Sequence, residues 1–316
     1  MKSSGIGGQA VIEGIMMRHE EEYSIAVRKP NKEIAIKKEP YKSIIKNKKI
    51  RNLPIIRGTF AFFESLIVGT KCLMYSSSFY EEEEDAMPKT EEQISKQERT
   101  DKVIMYVTMA VSLIISIALF FVLPYTVASL LRKVTNSEVV ITLAEAAIRM
   151  LLFLTYIMAI SQMKDIKRVF MYHGAEHKCI NCVEHGMELN VDNVMKSSRE
   201  HKRCGTSFLL FVMVVSIIFF LFIRVPSPFL RVVVRLLLLP IIAGVSYEII
   251  RLAGASDNKF VNALSKPGLA LQKLTTKEPT ADMVEVAIVA VEEVFDWKDY
   301  LKENFAGKGI KEEEAK

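Results

Sequence analysis

The sequence predicts a predominantly α-helical integral membrane protein, with about four transmembrane helices and a small cytoplasmic α/β unit at the N-terminus. Three observations predict it. Half of the 316 residues are hydrophobic, and they gather into long runs instead of short periodic patches. Four of these runs approach the roughly 20 apolar residues that a helix needs to cross a bilayer. The first forty residues instead alternate apolar and polar positions in places, which is the period of strands.

Composition narrows the function. Lys and Arg outnumber Asp and Glu by 42 to 37. That mild excess suits basic cytoplasmic loops, whereas a nucleic-acid binder concentrates its basic residues on one face, so no nucleic-acid partner is expected. There is no phosphate-cradling glycine loop, zinc-finger pattern or dinucleotide fingerprint. Four cysteines, Cys72, Cys179, Cys182 and Cys204, are too few for a disulfide scaffold. The start, Met1 to Gly14, lacks the apolar core of a secretory signal.

Residues 1–52 form the predicted N-terminal unit. GGQAVIEGIMMR, Gly7 to Arg18, reads as a short strand between tight turns. The alternating runs 23–29 and 32–38 flank Pro30-Asn31 and read as a hairpin. One face would carry Ile25, Val27, Ile34 and Ile36, and the other would be wet. Residues 53–80 read as an amphipathic interfacial helix. Arg57, Glu64 and Lys71 recur every seven residues on one stripe, behind a basic stretch that would meet anionic headgroups. The alternative is a soluble helix packed on the hairpin. Residues 81–102, opening with the acidic run at 81–85, read as a solvated linker.

Transmembrane helices 1 and 2 are expected within 103–163, and 3 and 4 within 207–250. Glu145 and Arg149, four apart, would pair inside the bundle, since a lone charge in lipid is costly. The tail, 251–316, holds a Pro/Gly-rich connector at 266–280. A helix follows at about 281–294, capped by Thr280 or Asp282. The segment 164–206 holds eight Lys or Arg residues, which places it and both termini in the cytoplasm. Its cysteines would stay reduced there.

That segment carries the chemistry. His173, Glu176 and His177 spell H-x-x-E-H, the inverted zinc-protease order. On a helix the two imidazoles share a face and can reach one divalent ion, with Glu176 beside them, or Glu184 further on, as base. Glu184 or the distant Glu248 could complete the ligands. A second arrangement, a structural zinc on Cys179, Cys182, His201 and Cys204, also has suitable donors. Arg203 or Lys178 could hold an anionic group.

The same residues resemble the bacterial and plastid YqhQ-like membrane family, described in general terms as predicted metal-dependent enzymes. The resemblance runs over nearly the whole chain. It rests on Gly7, Gly8, Gln9, Glu13, Gly14 and Met16 to Arg18, on Arg57-Gly58, and on Tyr172 to Lys178 with Glu184 beyond. It continues through His201, Arg203 to Phe208, Tyr247-Glu248 and the tail around Pro267-Gly268, Thr275-Thr276 and Glu278-Pro279. It implies a membrane placement and a site drawn from His173, Glu176, His177, His201 and Cys204. Cys179 and Cys182 are not fixed features of the pattern, which weighs against the four-ligand Cys/His site. Gly7, Gly8, Glu13 and Arg18 would then face the histidine cluster. The expected function is a divalent-metal-dependent hydrolase, with zinc as the metal and membrane lipids around it. The alternatives are a scaffold that binds a cytoplasmic protein, or a small-solute or ion transporter built as a homo-oligomer.

Overall fold

The computed structural model describes residues 3–45, 47–81, 91–223, 225, 227–255 and 258–305. The strands are β1 (Gly7–Val11), β2 (Gly14–His19), β3 (Glu22–Arg28) and β4 (Ile34–Pro40). The helices are α1 (Lys48–Arg51), α2 (Ile56–Glu81), α3 (Glu91–Ile117), α4 (Leu123–Ser129), α5 (Glu138–Ile160) and α6 (Lys164–Glu184). They continue with α7 (Val191–Lys196), α8 (Gly205–Phe222), α9 (Pro228–Ala255), α10 (Lys259–Thr275), α11 (Ala281–Val294) and α12 (Trp297–Phe305). The chain divides into two compact units. One comprises 1–81, 158–212 and 240–316, and the other 82–157 and 213–239.

In the first unit the strands form an antiparallel sheet in the order β1-β2-β3-β4. The predicted hairpin is β3–β4, and the opening block supplies two strands where one was expected. The turn of the hairpin changes its faces. Lys29 N–H bonds Glu33 O at 2.8 Å, and Lys32 sits at φ +70°, which makes a three-residue loop of Pro30, Asn31 and Lys32. An odd loop sets Ile25 opposite Lys37 and Ala26 opposite Ile36. Ile25 and Val27 therefore lie on the face opposite Ile34 and Ile36, not beside them, because a one-residue shift flips every side chain.

Nor is either face of β3 wet. Ile25 and Val27 join Val11, Met16 and Tyr23 against Val68, Cys72, Tyr75 and Phe79 of α2. Ile15, Met17 and Ala26 face the core formed with α6, α7 and α11. Burial on both faces lets every residue from Tyr23 to Val27 leave water, each large apolar one contributing about 1.5–3 kcal/mol. The helix α11 begins at Ala281 and buries Met283, Val286, Ala287 and Ala290; Thr280 holds the cap position, but its side chain makes no capping bond.

Helix α2 is two-sided. One face packs on the sheet, and Glu64 is tied down by Tyr41 Oη at 2.7 Å, Ser43 Oγ at 2.7 Å and Ile44 N–H at 2.8 Å. Phe63, Leu66, Ile67, Leu73 and Met74, on the other face, are each more than two-fifths exposed. The first turns run against α9: Thr59 donates to Pro240 O at 2.7 Å, and Gly58 leaves no room for a Cβ beside Tyr247. The expected connector at 266–280 is instead largely helix α10, which runs through Pro267 and Gly268 to Thr275. The polar linker is helical from Glu91 onward, and residues 82–90 lie outside the described residues. The expected frayed end is helical up to Phe305, and 306–316 lie outside the described residues.

Among the described residues four helices are long and apolar enough to cross a membrane: Val103–Lys133, Glu138–Ile160, Gly205–Phe222 and Phe229–Gly254. In the second unit Pro124 offers no N–H, which leaves Phe120 O without its helical donor. The backbone widens into a π-turn at Ala118–Val122, and Arg149 Nε donates to Phe120 O at 3.0 Å. The expected pair Glu145–Arg149 forms at 2.6 Å, and Arg235 of α9 joins it with a two-pronged bond to the same carboxylate.

Candidate metal centre

All residues of this site belong to the first unit. Helix α6 presents His173, His177 and Glu184 along one side, as the spacing requires. The rings of His173 and His177 stand 4.5 Å apart between centroids. Cys204 ends the segment before α8, and its Sγ lies 3.2 Å from His173 Nε2. The ligand atoms of His173, His177 and Cys204 all fall within 4.8 Å of one another.

The backbone selects the tautomers. His173 Nδ1 lies 2.9 Å from Thr275 O, and His177 Nδ1 lies 2.6 Å from Arg199 O. A carbonyl only accepts, so each Nδ1 carries the proton and donates, leaving each Nε2 its lone pair. His173 Nε2 faces the Cys204 sulfur directly, and the His177 ring also contacts it. Carbonyl-held imidazoles of this kind are the usual support of metal-bound histidines. Burial lowers the His177 pKa against the opposing contact with Cys204, which favours the neutral, ligating form.

Glu176 lies beside this group. Burial raises its carboxyl above the ordinary range, partly offset by His173 and by the Gly8 N–H. Among the described residues its Oε2 has no hydrogen-bond partner. Strand β1 can come this close because Gly8 has no side chain: a Cβ there would meet Glu176 Cδ at 2.9 Å and Met16 O at 2.8 Å. The second glycine of the opening block is thus explained by the approach of backbone to carboxylate. The donor set of two neutral imidazoles and one thiol therefore fits a divalent ion, while Glu176, which feels the His173 charge, stands outside that group of three.

Glu184 has different partners. It accepts from Ser4 N–H at 2.7 Å, Ser4 Oγ at 2.9 Å and Arg203, and His201 Nε2 stands 3.6 Å from its Oε2. Burial alone would raise this carboxyl, but His201, Arg203 and Ser4 outweigh it and hold it at about 2. A depressed carboxylate stabilises the fold fully above its unfolded value, near 4.5, and loses that contribution as pH falls toward about 2. Glu184→Gln is expected to flatten the melting temperature over that acid window. The check is a thermal melt of both proteins from pH 5 downward, and an unchanged acid slope would refute the assignment.

The other expected residues are distributed as follows. His201 turns to Glu184, its ring 5.7 Å from that of His177, while Gln272 clamps its backbone N–H at 3.0 Å and its carbonyl at 2.7 Å. Arg203 is committed to Glu184 and Ser3, and Lys178 to Met195 O, Ser197 O and Glu278. Glu248 is bound by Arg57 and Ile55 N–H and stands outside the His/His/Cys group. Glu13 pairs with Arg168, and Arg18 covers the Tyr41 ring at 3.3 Å, so Gly8 is the member of the opening block that meets the cluster. Gly7 pairs with Arg18 in the sheet, and Gln9 lies over Gly69 of α2. Cys179 and Cys182 are buried in the core with α11 and join neither His201 nor Cys204. Two residues after His177, position 179 faces the far side of the helix.

Sequence reasoning gave no role to Thr275, which it named only within the resemblance, to Arg199 or to Gln272. The first two act through carbonyls, which any residue supplies, so no residue-type signal marks them. Gln272 is a fully buried amide on α10, and beside Lys273 in the sequence it left no clue to that burial.

Two comparisons with known proteins bear on this geometry. Residues 53–297 match a family described as "Protein of unknown function (DUF1385)". A Bacillus subtilis (strain 168) protein, "Uncharacterized protein YqhQ", is 37% identical over 294 residues, 91% of each chain. No solved structure matches.

Proposed function

Because the chain belongs to the DUF1385 family, whose description names no reaction, its own residues must carry the assignment, and we propose a zinc-dependent hydrolase at the cytoplasmic face of the membrane. One observation carries this reading: two carbonyl-held imidazoles and a sulfur converge beside a buried carboxylate with an unpartnered oxygen. His173, His177 and Cys204 would hold the ion. Two imidazoles with a soft sulfur suit zinc better than magnesium or calcium, which favour all-oxygen ligands. Three protein ligands leave a position for water or substrate, and His173 is only half-buried.

When bound, such an ion supplies Lewis-acid activation of water and of a carbonyl or phosphoryl oxygen. Glu176, as the carboxylate, would accept the proton from water, since burial raises its pKa and so makes it a stronger base. Gly8 N–H would hold the carboxylate in place. The membrane setting is supported by Cys204, which immediately precedes an apolar helix long enough to cross a bilayer, and by the exposed apolar face of α2. The excess of Lys and Arg in 164–206 favours the cytoplasmic side.

The burial of His177 and Cys204 favours a second reading, a regulatory scaffold with a structural metal. Turnover separates them. The zinc-loaded full chain in detergent would be assayed against ester, amide and phosphodiester panels beside Glu176→Gln. The variant is expected to keep its zinc and lose about 10²–10⁴-fold in rate. Equal turnover in the variant would sink the role of Glu176, and zinc without any hydrolysis would favour the scaffold.

A further inference from the structure

The second unit holds a charge imbalance that the proposed hydrolase does not use. Glu145, Arg149 and Arg235 are all at least nine-tenths buried, and one carboxylate there faces two guanidiniums. Arg231 lies one turn from Arg235, stacks on Tyr125 at 4.9 Å and donates twice to Val225 O. Glu138, at the start of α5, is bound by Arg132. Over this group four arginines meet two glutamates, an excess of two positive charges among the described residues. Excess charge between apolar helices is costly unless a counter-charge is brought in.

A cavity of about 240 Å³ lies against these groups, lined by Arg231, Arg235, Glu138, Thr142 and Phe220 among others. That is several times the roughly 30 Å³ that a water molecule occupies in the liquid. Its position along the helices is equally specific. Glu138 and Phe229 begin two of the candidate spans, and Phe222 ends a third. Arg231 and Arg235 therefore lie about 3 and 9 Å along α9 from the membrane boundary, at 1.5 Å per residue. Arg231 is thus near headgroup depth and Arg235 one turn deeper, at the end of α8 remote from Gly205.

We propose that this cavity binds a phosphate-bearing anion through Arg231 and the outer edge of Arg235. Guanidinium groups recognise phosphate oxygens in paired, charge-assisted bonds, and the anion supplies the missing negative charge. The phosphate can come from a lipid headgroup or from free phosphate, so the test separates the two.

The full chain, purified in an uncharged maltoside detergent, would be titrated with inorganic phosphate and, separately, with phosphatidylglycerol. Bound species would be read by native mass spectrometry. Arg231→Gln leaves the buried Glu145 cluster intact, and a melting curve confirms its fold. Arg231→Lys keeps the charge. Wild type is expected to bind, Arg231→Gln to weaken binding about 10- to 100-fold, and Arg231→Lys to recover part of the loss. Binding of phosphatidylglycerol alone identifies a headgroup site, and binding of both probes identifies a general phosphate site. If neither probe binds wild type, or if Arg231→Gln binds as well as wild type, the proposal is overturned.

Discussion

Purified in detergent with zinc supplied, the wild-type chain is expected to carry about one zinc ion, and the His173→Ala/His177→Ala variant almost none. Cys204→Ser should fall between them, because an alcohol replaces a thiolate as the third donor while both imidazoles remain. The expectation rests on preorganisation. Thr275 O and Arg199 O already hold both Nδ1–H groups, so the rings need not be ordered when the ion arrives. Elemental analysis of the three proteins is the measurement. Zinc retained by the double variant would place the metal elsewhere. Absence of zinc from a folded wild type would remove the ground for the hydrolase and leave the cluster as a hydrogen-bonded thiol–imidazole group.

Among the described glycines, Gly174→Ala is expected to be the most damaging added methyl. A Cβ at this position would fall inside contact distance of Lys277 O, and that neighbour is backbone, not a flexible side chain. Lys277 N–H is itself bonded to Phe170 O at 2.8 Å, so the segment 275–279 lies flat along α6. To admit the methyl the segment would have to lift, and Thr275 O would leave His173 Nδ1. Overpacking of this kind costs about 1–3 kcal/mol, and a backbone clash belongs at or above the top of that range. A thermal melt with zinc analysis should therefore show a lower melting temperature and reduced metal together. A variant as stable and as well loaded as wild type would mean that the segment does not hold the histidine.

The two predictions differ in how far the sequence foresaw them. The shared face of His173 and His177 was legible because a four-residue spacing returns a side chain to nearly the same direction on any helix. The role of Gly174 was not, since a glycine within a helix has no periodic signature and its reason lies about a hundred residues away. Helix α11 was legible because the spacing of Met283, Val286, Ala287 and Ala290 is a local signal. The faces of β4 were not, because an odd loop and an even loop look alike when strand ends are uncertain, and one residue reverses the pattern. Connector 266–280 misled because Pro267 and Gly268 usually punctuate structure. Gly268 sits against Ser207 in α8, where close approach offsets its poor helix propensity.

By itself the sequence determined the four apolar helices, the strand character of the N-terminus and the pairing of two histidines on one helical side. These depend on hydrophobic length and on periods of two and 3.6, which are properties of neighbouring residues. Tertiary structure alone decided that Cys204 would be the third member of the group while Glu184, His201 and Glu248 took other partners. It also decided that Glu176 would keep one oxygen unsatisfied beneath Gly8. The physical reason is that ligation and burial are convergences of segments far apart in the chain. Which donor arrives is set by how α6, α8 and α10 pack, and no spacing along the sequence encodes that.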